Sequence, residues 1–266
     1  MLRTQDGIIK MGELIKSKLN MTSLRNPYVS IDGSFGGNQG WMEKAEGTRK
    51  GKVLKNYGCG LIAASDILMY MMGGMEHVIK QSGERVPLTY KNYIITMERK
   101  YFHILPVLGI SGVLLAWNLN MYFLLHKKEI KARTGSSYRA RWFVLPGQML
   151  SRIKEMISND IPVLIAIGPG MFRKNKVNLY NKSTDGNGRT IFKPVTKTKD
   201  HYVTITGIIE TSKGDKVDQA DVDDGIVMLE ISSWGRKYYV NYNEYVNYVK
   251  KNDNWYFSNM LYIKKK

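Results

Sequence analysis

Between residues 59 and 158, apolar residues recur mostly at the spacing of an α-helix. Residues 59–72 are apolar on nearly every side, which predicts a helix in the centre of a fold. Gly73 and Gly74 follow directly and are expected to end it. Three further segments have the pattern of helices: 87–102, 109–125 and 147–158.

The last third of the chain has a different pattern, in which Val-, Ile- and Tyr-rich runs are bounded by Gly, Asp and Asn. With two earlier runs, the predicted strands are 138–145, 163–168, 201–208, 226–232, 236–241 and 256–264. A short helix is expected at 243–251, and long polar loops at 172–200 and 210–225. Helices followed by adjacent strands predict an α+β fold with a mostly antiparallel C-terminal sheet on which the buried helix packs.

The N-terminal part is expected to be an extension of this domain. Residues 1–28 have the pattern of a short amphipathic helix and a tail, and 29–55 are rich in Gly, Asn, Ser and Lys, as in irregular loops. The predicted organisation is therefore an extension at 1–50 and one domain at 51–266 with a helical insert at about 85–145.

The composition indicates a globular chain with a strongly basic surface. Of 266 residues, 43% are hydrophobic and 24% charged, and the net charge is +17. Lys and Arg are scattered, and aromatic residues do not interleave with them as in RNA-binding proteins, so no specific nucleic-acid partner is expected. A basic surface that binds nucleic acid or a membrane is the weaker alternative.

The sequence contains no secretory signal, which favours a cytoplasmic protein; secretion stays open if a signal has been removed. Residues 104–125 are the only candidate for a membrane span, but Pro106, Asn118 and Asn120 interrupt them. A buried helix is therefore predicted there, with no transmembrane span.

No cofactor or metal ion is expected. Zinc signatures, a P-loop and the dinucleotide-binding glycine pattern are absent. The acidic loop at 215–225 and the STDGNG stretch at 183–188 both lack the ligand spacing of an EF-hand.

The single cysteine, Cys59, lies between two glycines at the start of the apolar helix. A helix N-terminus stabilises a thiolate through its free N–H groups and its dipole. Gly58 allows a tight turn into the helix, and the backbone N–H groups there are suited to stabilising an oxyanion. The alternative is a cysteine that merely packs in the core.

A nucleophilic thiol needs a base, and His201 is the best of four histidines. It begins a predicted strand directly after a polar loop, where an imidazole can face a cleft. A third polar group usually holds such a base, and Ser232, Ser233 and Trp234 come at the end of the next strand, where a Trp-Gly can shield a polar partner from water.

These stretches together resemble the papain-like cysteine peptidases. "GCG" opening an apolar helix, "HYVTITGI" on a strand and "ISSWG" after the next strand occur in that family's order. The lead-in DIPVLIAIGPG is closest in style to the compact bacterial branch that includes peptidases trimming bacteriocin leaders. The resemblance implies a papain-like fold and assigns Cys59 as nucleophile, His201 as base and Ser232 at the orienting position, with Gly58, Ser233 and Trp234 near the substrate.

Two residues depart from the family pattern. Ser232 stands where the family has asparagine, so Ser233 or Asp200 are alternatives for orienting the histidine. Val53 stands where the oxyanion glutamine is expected, and Asn56, then Gln39, are the candidates to replace it.

The sequence thus predicts a thiol-dependent hydrolase of a peptide or other amide bond, with a peptide or protein as substrate. Amide transfer or deamidation on the same residues is an alternative. A catalytically impaired papain-like binding module is another, since two family residues are missing.

Overall fold

The computed structural model describes residues 20–44, 48–73, 86–168, 175–211, 215–217, 220–221, 225–252 and 255–266. Within these ranges the α-helices are α1 Thr48–Tyr57, α2 Cys59–Met71, α3 Val86–Met97, α4 Gly112–Leu125, α5 Lys127–Thr134, α6 Met149–Ser158 and α7 Tyr242–Asn252. A π-helical turn at Glu98–Phe102 continues α3, and 3-10 turns lie at Gln39–Lys44 and Pro146–Gln148.

The described strands form one large sheet and one small sheet. They are β1 Asn20–Ser23, β2 Tyr138–Trp142, β3 Val163–Ile167, β4 Val177–Thr184, β5 Thr190–Thr198, β6 His201–Glu210, β7 Lys216–Val217, β8 Ala220–Asp221, β9 Val227–Ser233, β10 Arg236–Asn241 and β11 Leu261–Lys265. The large sheet has the order β1-β6-β9-β10-β4-β5-β7-β8, with β3 also on β6, and only β5 and β7 pair in parallel. Strands β2 and β11 form the small antiparallel sheet.

Strand β6 is paired with other strands on both sides in the large sheet. Strand β9 pairs with one side of β6. On the other side, β3 pairs with residues 201–205 of β6 and β1 with residues 207–210. Helix α2 packs on β6 and is buried from Gly60 to Tyr70. Because its residues are apolar all round, it is stable only with protein on every side. The α+β class, the mostly antiparallel sheet and the buried helix after Cys59 are thereby confirmed.

Several boundaries differ from the sequence prediction. The predicted loop at 172–200 is wrong, since β4 and β5 form a hairpin there; exposed polar residues interrupt their buried ones, so no apolar run marks them. The predicted loop at 29–55 is wrong for α1, in which the few apolar residues fall at helical spacing among lysines that favour helix. The predicted strand at 256–264 forms only as Leu261–Lys265. The predicted loop at 210–225 contains the short strands β7 and β8.

Two predicted helices, one near the N-terminus and one in the insert, also need comment. Residues 1–19, most of the predicted N-terminal helix, lie outside the described residues, and the described part that follows them begins with strand β1. The predicted buried helix at 104–125 is buried on one face only, because α4 exposes large apolar residues along the other. Within the described ranges, no helix combines the length and apolarity that crossing a bilayer requires.

Candidate active site

The fold brings together segments that are far apart along the chain. Cys59 is the first residue of α2, His201 the first of β6, and Ser233 the last of β9. They line one cavity of about 20 Å³, about the volume of one water molecule. Of the other predicted site residues, this cavity is also lined by Gln39, Ser232 and Trp234.

The Cys59 thiol lies among backbone N–H groups at the start of α2. Its side chain is half-buried, and the backbone N–H groups of Tyr202, Gly60 and Cys59 itself lie near the sulfur. Burial raises the pKa of the thiol, and these N–H groups partly oppose the rise because they stabilise the thiolate. The Tyr202 amide belongs to the residue directly after His201, so the sulfur lies against the start of β6.

Glycines on both sides of Cys59 allow this placement. A Cβ at Gly58 would lie 2.2 Å from the carbonyl oxygen of Leu54, and a Cβ at Gly60 would lie 2.9 Å from Ile110 Cγ2 and 3.0 Å from the Tyr202 ring. Gly58 is buried and joins α1 directly to α2. Its place in the fold is therefore the turn beneath the thiol rather than the cavity wall.

The imidazole of His201 is held in place by Ser233 and Trp234. Nε2 lies 2.9 Å from Ser233 Oγ, and the ring stacks on the indole of Trp234 with centroids 4.6 Å apart. The side chain is buried, and this burial lowers the pKa of His201 to about 4. Because Ser233 occupies Nε2, Nδ1 is the nitrogen left to exchange a proton. Among the described residues, no hydrogen bond joins the imidazole to the thiol.

The turn that carries Trp234 has an unusual backbone. Trp234 has φ +50° and Gly235 φ +74°, and Ser233 pairs with Arg236, which is the geometry of a two-residue type I′ hairpin turn. A bulky residue with positive φ is rare, and such strain persists only where the surroundings hold it. The Asn38 side chain donates to the Trp234 carbonyl at 3.1 Å, and Phe35 N donates to Gly235 O at 2.9 Å.

Ser232, the predicted orienting residue, has a different partner from Ser233. Its hydroxyl donates to the carbonyl of Phe35 at 2.8 Å, because adjacent residues of a strand point to opposite faces. The structure thus places Ser233 at the histidine and Ser232 at the glycine-rich segment 34–40, here called the 34–40 loop. Asp200, the other alternative, is exposed and lies 3.8 Å from Lys199 Nζ.

The two amide candidates for the oxyanion position are also separated. Gln39 lines the cavity, and its Nε2 donates to the carbonyl of Lys55 at 2.7 Å, which leaves one N–H uncommitted. Asn56 is exposed on α1 and is not part of the cavity wall. Helix α1 folds back on the 39–44 turn so closely that a Cβ at Gly51 would lie 2.6 Å from Glu43 O. Because of this packing, Gln39 lies near the thiol of Cys59 although the two residues are 20 positions apart in sequence.

Asp66 anchors the 34–40 loop from beneath. It is buried in α2, and its carboxylate accepts hydrogen bonds from Gly37 N and from Tyr90 Oη, both at 2.8 Å. Burial raises the pKa of Asp66 to about 7, although both hydrogen bonds act in the opposite direction. A Cβ at Gly36 would lie 2.2 Å from Ser232 Oγ and 3.0 Å from Asp66 Oδ2. The loop therefore requires glycine at position 36, where it passes close to Ser232 and Asp66.

Sequence reasoning missed the backbone of Tyr202 and the part that Asp66 plays in the site wall. The density of glycines in "GSFGGNQG" was the available signal that this segment approaches other backbone closely. Of the other histidines, His103 is exposed and His126 contacts Tyr101 Oη at 2.9 Å; His77 lies outside the described residues. In the described part of the chain, no cluster of three or more His, Cys, Asp or Glu side chains has the proximity to hold a metal ion.

The chain was also compared with known proteins. No protein-family model, no curated protein and no solved structure matched it.

Proposed function

We propose that the protein is a thiol-dependent hydrolase of peptide or other amide bonds, with a papain-like arrangement of Cys59 and His201. One observation carries the proposal: the thiol and the imidazole line the same cavity, and Ser233 occupies the imidazole nitrogen that proton exchange does not need. A nucleophile, a base and a group that orients the base are the parts that acyl transfer requires. Their order along the chain supports the same assignment.

The pKa shifts define the resting state of the pair. Burial keeps the Cys59 thiol protonated and the His201 imidazole neutral at pH 7. His201 therefore acts as a general base during attack: Nδ1 takes the thiol proton while the sulfur bonds to the acyl carbon. For this the ring must carry its other proton on Nε2, and Ser233 Oγ accepts that hydrogen bond.

The remaining steps use the same atoms in reverse order. The imidazolium returns its proton to the leaving amine as the C–N bond breaks, which leaves an acyl-thioester on Cys59. Water then attacks this thioester with His201 as base, and the thiol is released. The N–H groups at the start of α2 and the uncommitted N–H of Gln39 are the groups suited to stabilising the oxyanion.

The shape of the site limits how a substrate binds. A cavity of about 20 Å³ cannot enclose an amino-acid side chain, so a peptide would lie across its mouth, where Cys59 is half-buried. The net charge of +17 favours acidic substrates.

A catalytically impaired binding module is the second candidate. The specific observation in its favour is that thiol and imidazole are not hydrogen bonded and that both pKa shifts favour uncharged groups. Amide transfer uses the same Cys59 and His201 with an amine in place of water, so the acyl-enzyme is common to it and to hydrolysis.

The test is the rate of Cys59 alkylation by iodoacetamide against pH in the wild type and in His201→Ala. Because His201 acts as a general base, an active pair is alkylated faster in the wild type than in the variant between about pH 4 and pH 7, where the buried imidazole is neutral. Incubation with p-nitrophenyl acetate should give a burst of nitrophenolate and an acetylated protein by mass, both absent in Cys59→Ala.

Equal alkylation rates in wild type and His201→Ala, rising only near the free-thiol pKa of about 8.5 or above, would exclude the hydrolase and support the binding module.

A further inference from the structure

Helix α4 has one face that no described residue covers. Its exposed apolar side chains recur every three or four positions, so they form a single stripe along the helix. The stripe consists of Val113, Leu114, Trp117, Met121, Leu124 and Leu125. Trp117, Leu124 and Leu125 are each about two-thirds exposed, at 66%, 65% and 65%. Scattered single apolar residues are ordinary on a surface, whereas a continuous stripe marks an interaction site.

The loop before α4 carries two more exposed apolar residues. Val107 and Leu108 are 74% and 80% exposed at its tip, and an isolated bridge between Leu105 and Gly109 closes it. The loop is fixed to the candidate active site, because Tyr202 Oη donates to the carbonyl of Ile110 at 3.0 Å. The loop that carries these two exposed side chains is therefore attached near the start of β6.

A positively charged surface lies next to the stripe on the small sheet. Arg139 of β2 stands directly opposite Lys264 of β11, and Arg141 stands opposite Tyr262. Like charges opposite one another destabilise a strand pair, so this face gains stability from an anion. Within the described residues, Glu155 is the only acidic side chain lining the cleft there, and it already binds Arg152 Nη1 at 2.6 Å.

The two surfaces are continuous. Asn120 of α4 exchanges two hydrogen bonds of 2.8 Å with the backbone of Ala140, which fixes α4 against β2. A groove of about 540 Å³ at this junction is lined by Trp117 and Leu124 of α4 together with Lys127 and Arg139. The result is an exposed apolar surface with a cationic border.

We propose that this surface, the α4 stripe with the 105–108 loop and the basic face of β2 and β11, binds anionic lipid bilayers peripherally. The apolar side chains would enter the boundary of headgroups and acyl chains, while the Lys and Arg side chains contact the phosphates. The arrangement is complementary to an anionic bilayer, which offers negative charge at its surface and apolar chains beneath. The proposal is independent of the chemistry of Cys59.

Two other occupants fit less well. A nucleic acid would satisfy the basic face but would leave the leucines of α4 in water. A second copy in a twofold dimer would cover the apolar stripe but would supply no anion to the basic face. The bilayer is the occupant that satisfies both parts of the surface.

The experiment is flotation of the full chain with vesicles of phosphatidylcholine alone and of phosphatidylcholine containing one-third phosphatidylglycerol. We expect binding only to the anionic vesicles. Arg139→Gln with Lys264→Gln should weaken it roughly 25-fold, at about fivefold per charge. Trp117→Ser with Leu124→Ser should weaken it at least about tenfold. On vesicles, tryptophan emission should shift to shorter wavelength in the wild type but not in Trp117→Phe.

The matched control is Val195→Ser with Lys193→Gln on β5, which removes one exposed apolar residue and one charge from a different surface. It should bind like the wild type. The proposal is overturned if the wild type does not float with anionic vesicles, or if the control and the α4 variant lose binding equally. It is also overturned if a duplex oligonucleotide is bound and vesicles are not, or if light scattering shows a dimer that Trp117→Ser with Leu124→Ser dissociates.

Discussion

The indole of Trp234 stacks on the imidazole of His201, with ring centroids 4.6 Å apart and ring planes 20° apart. The stack is made by a backbone that L-residues rarely adopt, since Trp234 has φ +50°. The hydrogen bonds from Asn38 and Phe35 to this turn hold it in place. The protein thus accepts backbone strain at the position that covers the candidate base.

Two substitutions of Trp234 distinguish the effect of its backbone strain from the effect of its stacking on His201. Trp234→Ala and Trp234→Gly both remove the indole, so both should raise the pKa of His201 from about 4 toward its ordinary value as water reaches the ring. Only alanine retains the positive-φ cost, so the glycine variant should be more stable by about 1 to 2 kcal/mol. NMR titration of the imidazole and urea unfolding measure the two effects. Equal stability of the two variants would contradict the strain assignment.

The adjacent serines form a second matched pair. Ser233→Ala removes the hydrogen bond to His201 Nε2, whereas Ser232→Ala removes the bond to the Phe35 carbonyl. We expect Ser233→Ala to slow Cys59 alkylation at pH 6 by about tenfold or more, because an unsupported imidazole loses its orientation. Ser232→Ala should instead lower the free energy of unfolding by about 1 kcal/mol with a smaller change in rate. The reverse ranking of rates would return the orienting role to Ser232.

The amides of Gln39 and Asn56 test the oxyanion assignment. Gln39 lines the cavity and Asn56 does not, so Gln39→Ala should slow acylation by p-nitrophenyl acetate by about a hundredfold, as expected for loss of an oxyanion donor. Asn56→Ala should leave the rate unchanged. Cys59 alkylation by iodoacetamide forms no oxyanion and should be the same in both variants. A rate loss confined to Asn56→Ala would restore the ranking that sequence spacing favours.

The sequence predicted the α+β class, the buried helix and the segments that meet in the cavity, because each has a strong local signal. Cys59 opens a helix that is apolar on nearly every side, and His201 opens a strand that is apolar along most of its length. The choice between Ser232 and Ser233 had no such signal, because strand direction decides it and one residue reverses the face. The placement of Gln39 depends on how α1 folds back, which is a tertiary contact. The papain-like fold itself stays a prediction.

The 34–40 loop can be tested through two glycines with similar backbones. Gly33 has φ +78°, and a Cβ there would have no atom within 4 Å, whereas a Cβ at Gly36, with φ +76°, would meet Ser232 Oγ at 2.2 Å. Gly33→Ala should cost about 1 kcal/mol from backbone strain alone. Gly36→Ala adds a steric clash worth about 1 to 3 kcal/mol more and should displace the loop. Thermal unfolding and the Cys59 alkylation rate measure both effects. Equal destabilisation would show that the loop does not pack tightly on Ser232.

The last prediction concerns pH, because two buried groups of the site act on stability in opposite directions. The pKa of His201 is lowered from 6.5 to about 4. Between pH 4 and pH 6.5 the imidazole is therefore protonated in the unfolded chain but not in the folded chain. Stability is then lost as pH falls from 6.5 to 4. The pKa of Asp66 is raised from 3.8 to about 7, so the folded chain binds the extra proton, and stability is lost as pH rises toward 7.

Removing either group should expose the slope that the other contributes. His201→Gln should become more stable as pH falls from 7 to 4, since the Asp66 contribution is retained. Asp66→Asn should become less stable over pH 6.5 to 4, since the His201 contribution is retained. Each slope should reach about 1.4 kcal/mol per pH unit at most. Urea unfolding at intervals between pH 4 and pH 7.5 measures them. Parallel curves for the two variants would show that at least one of the two groups is not held in its buried environment, and a change confined to one variant would identify which.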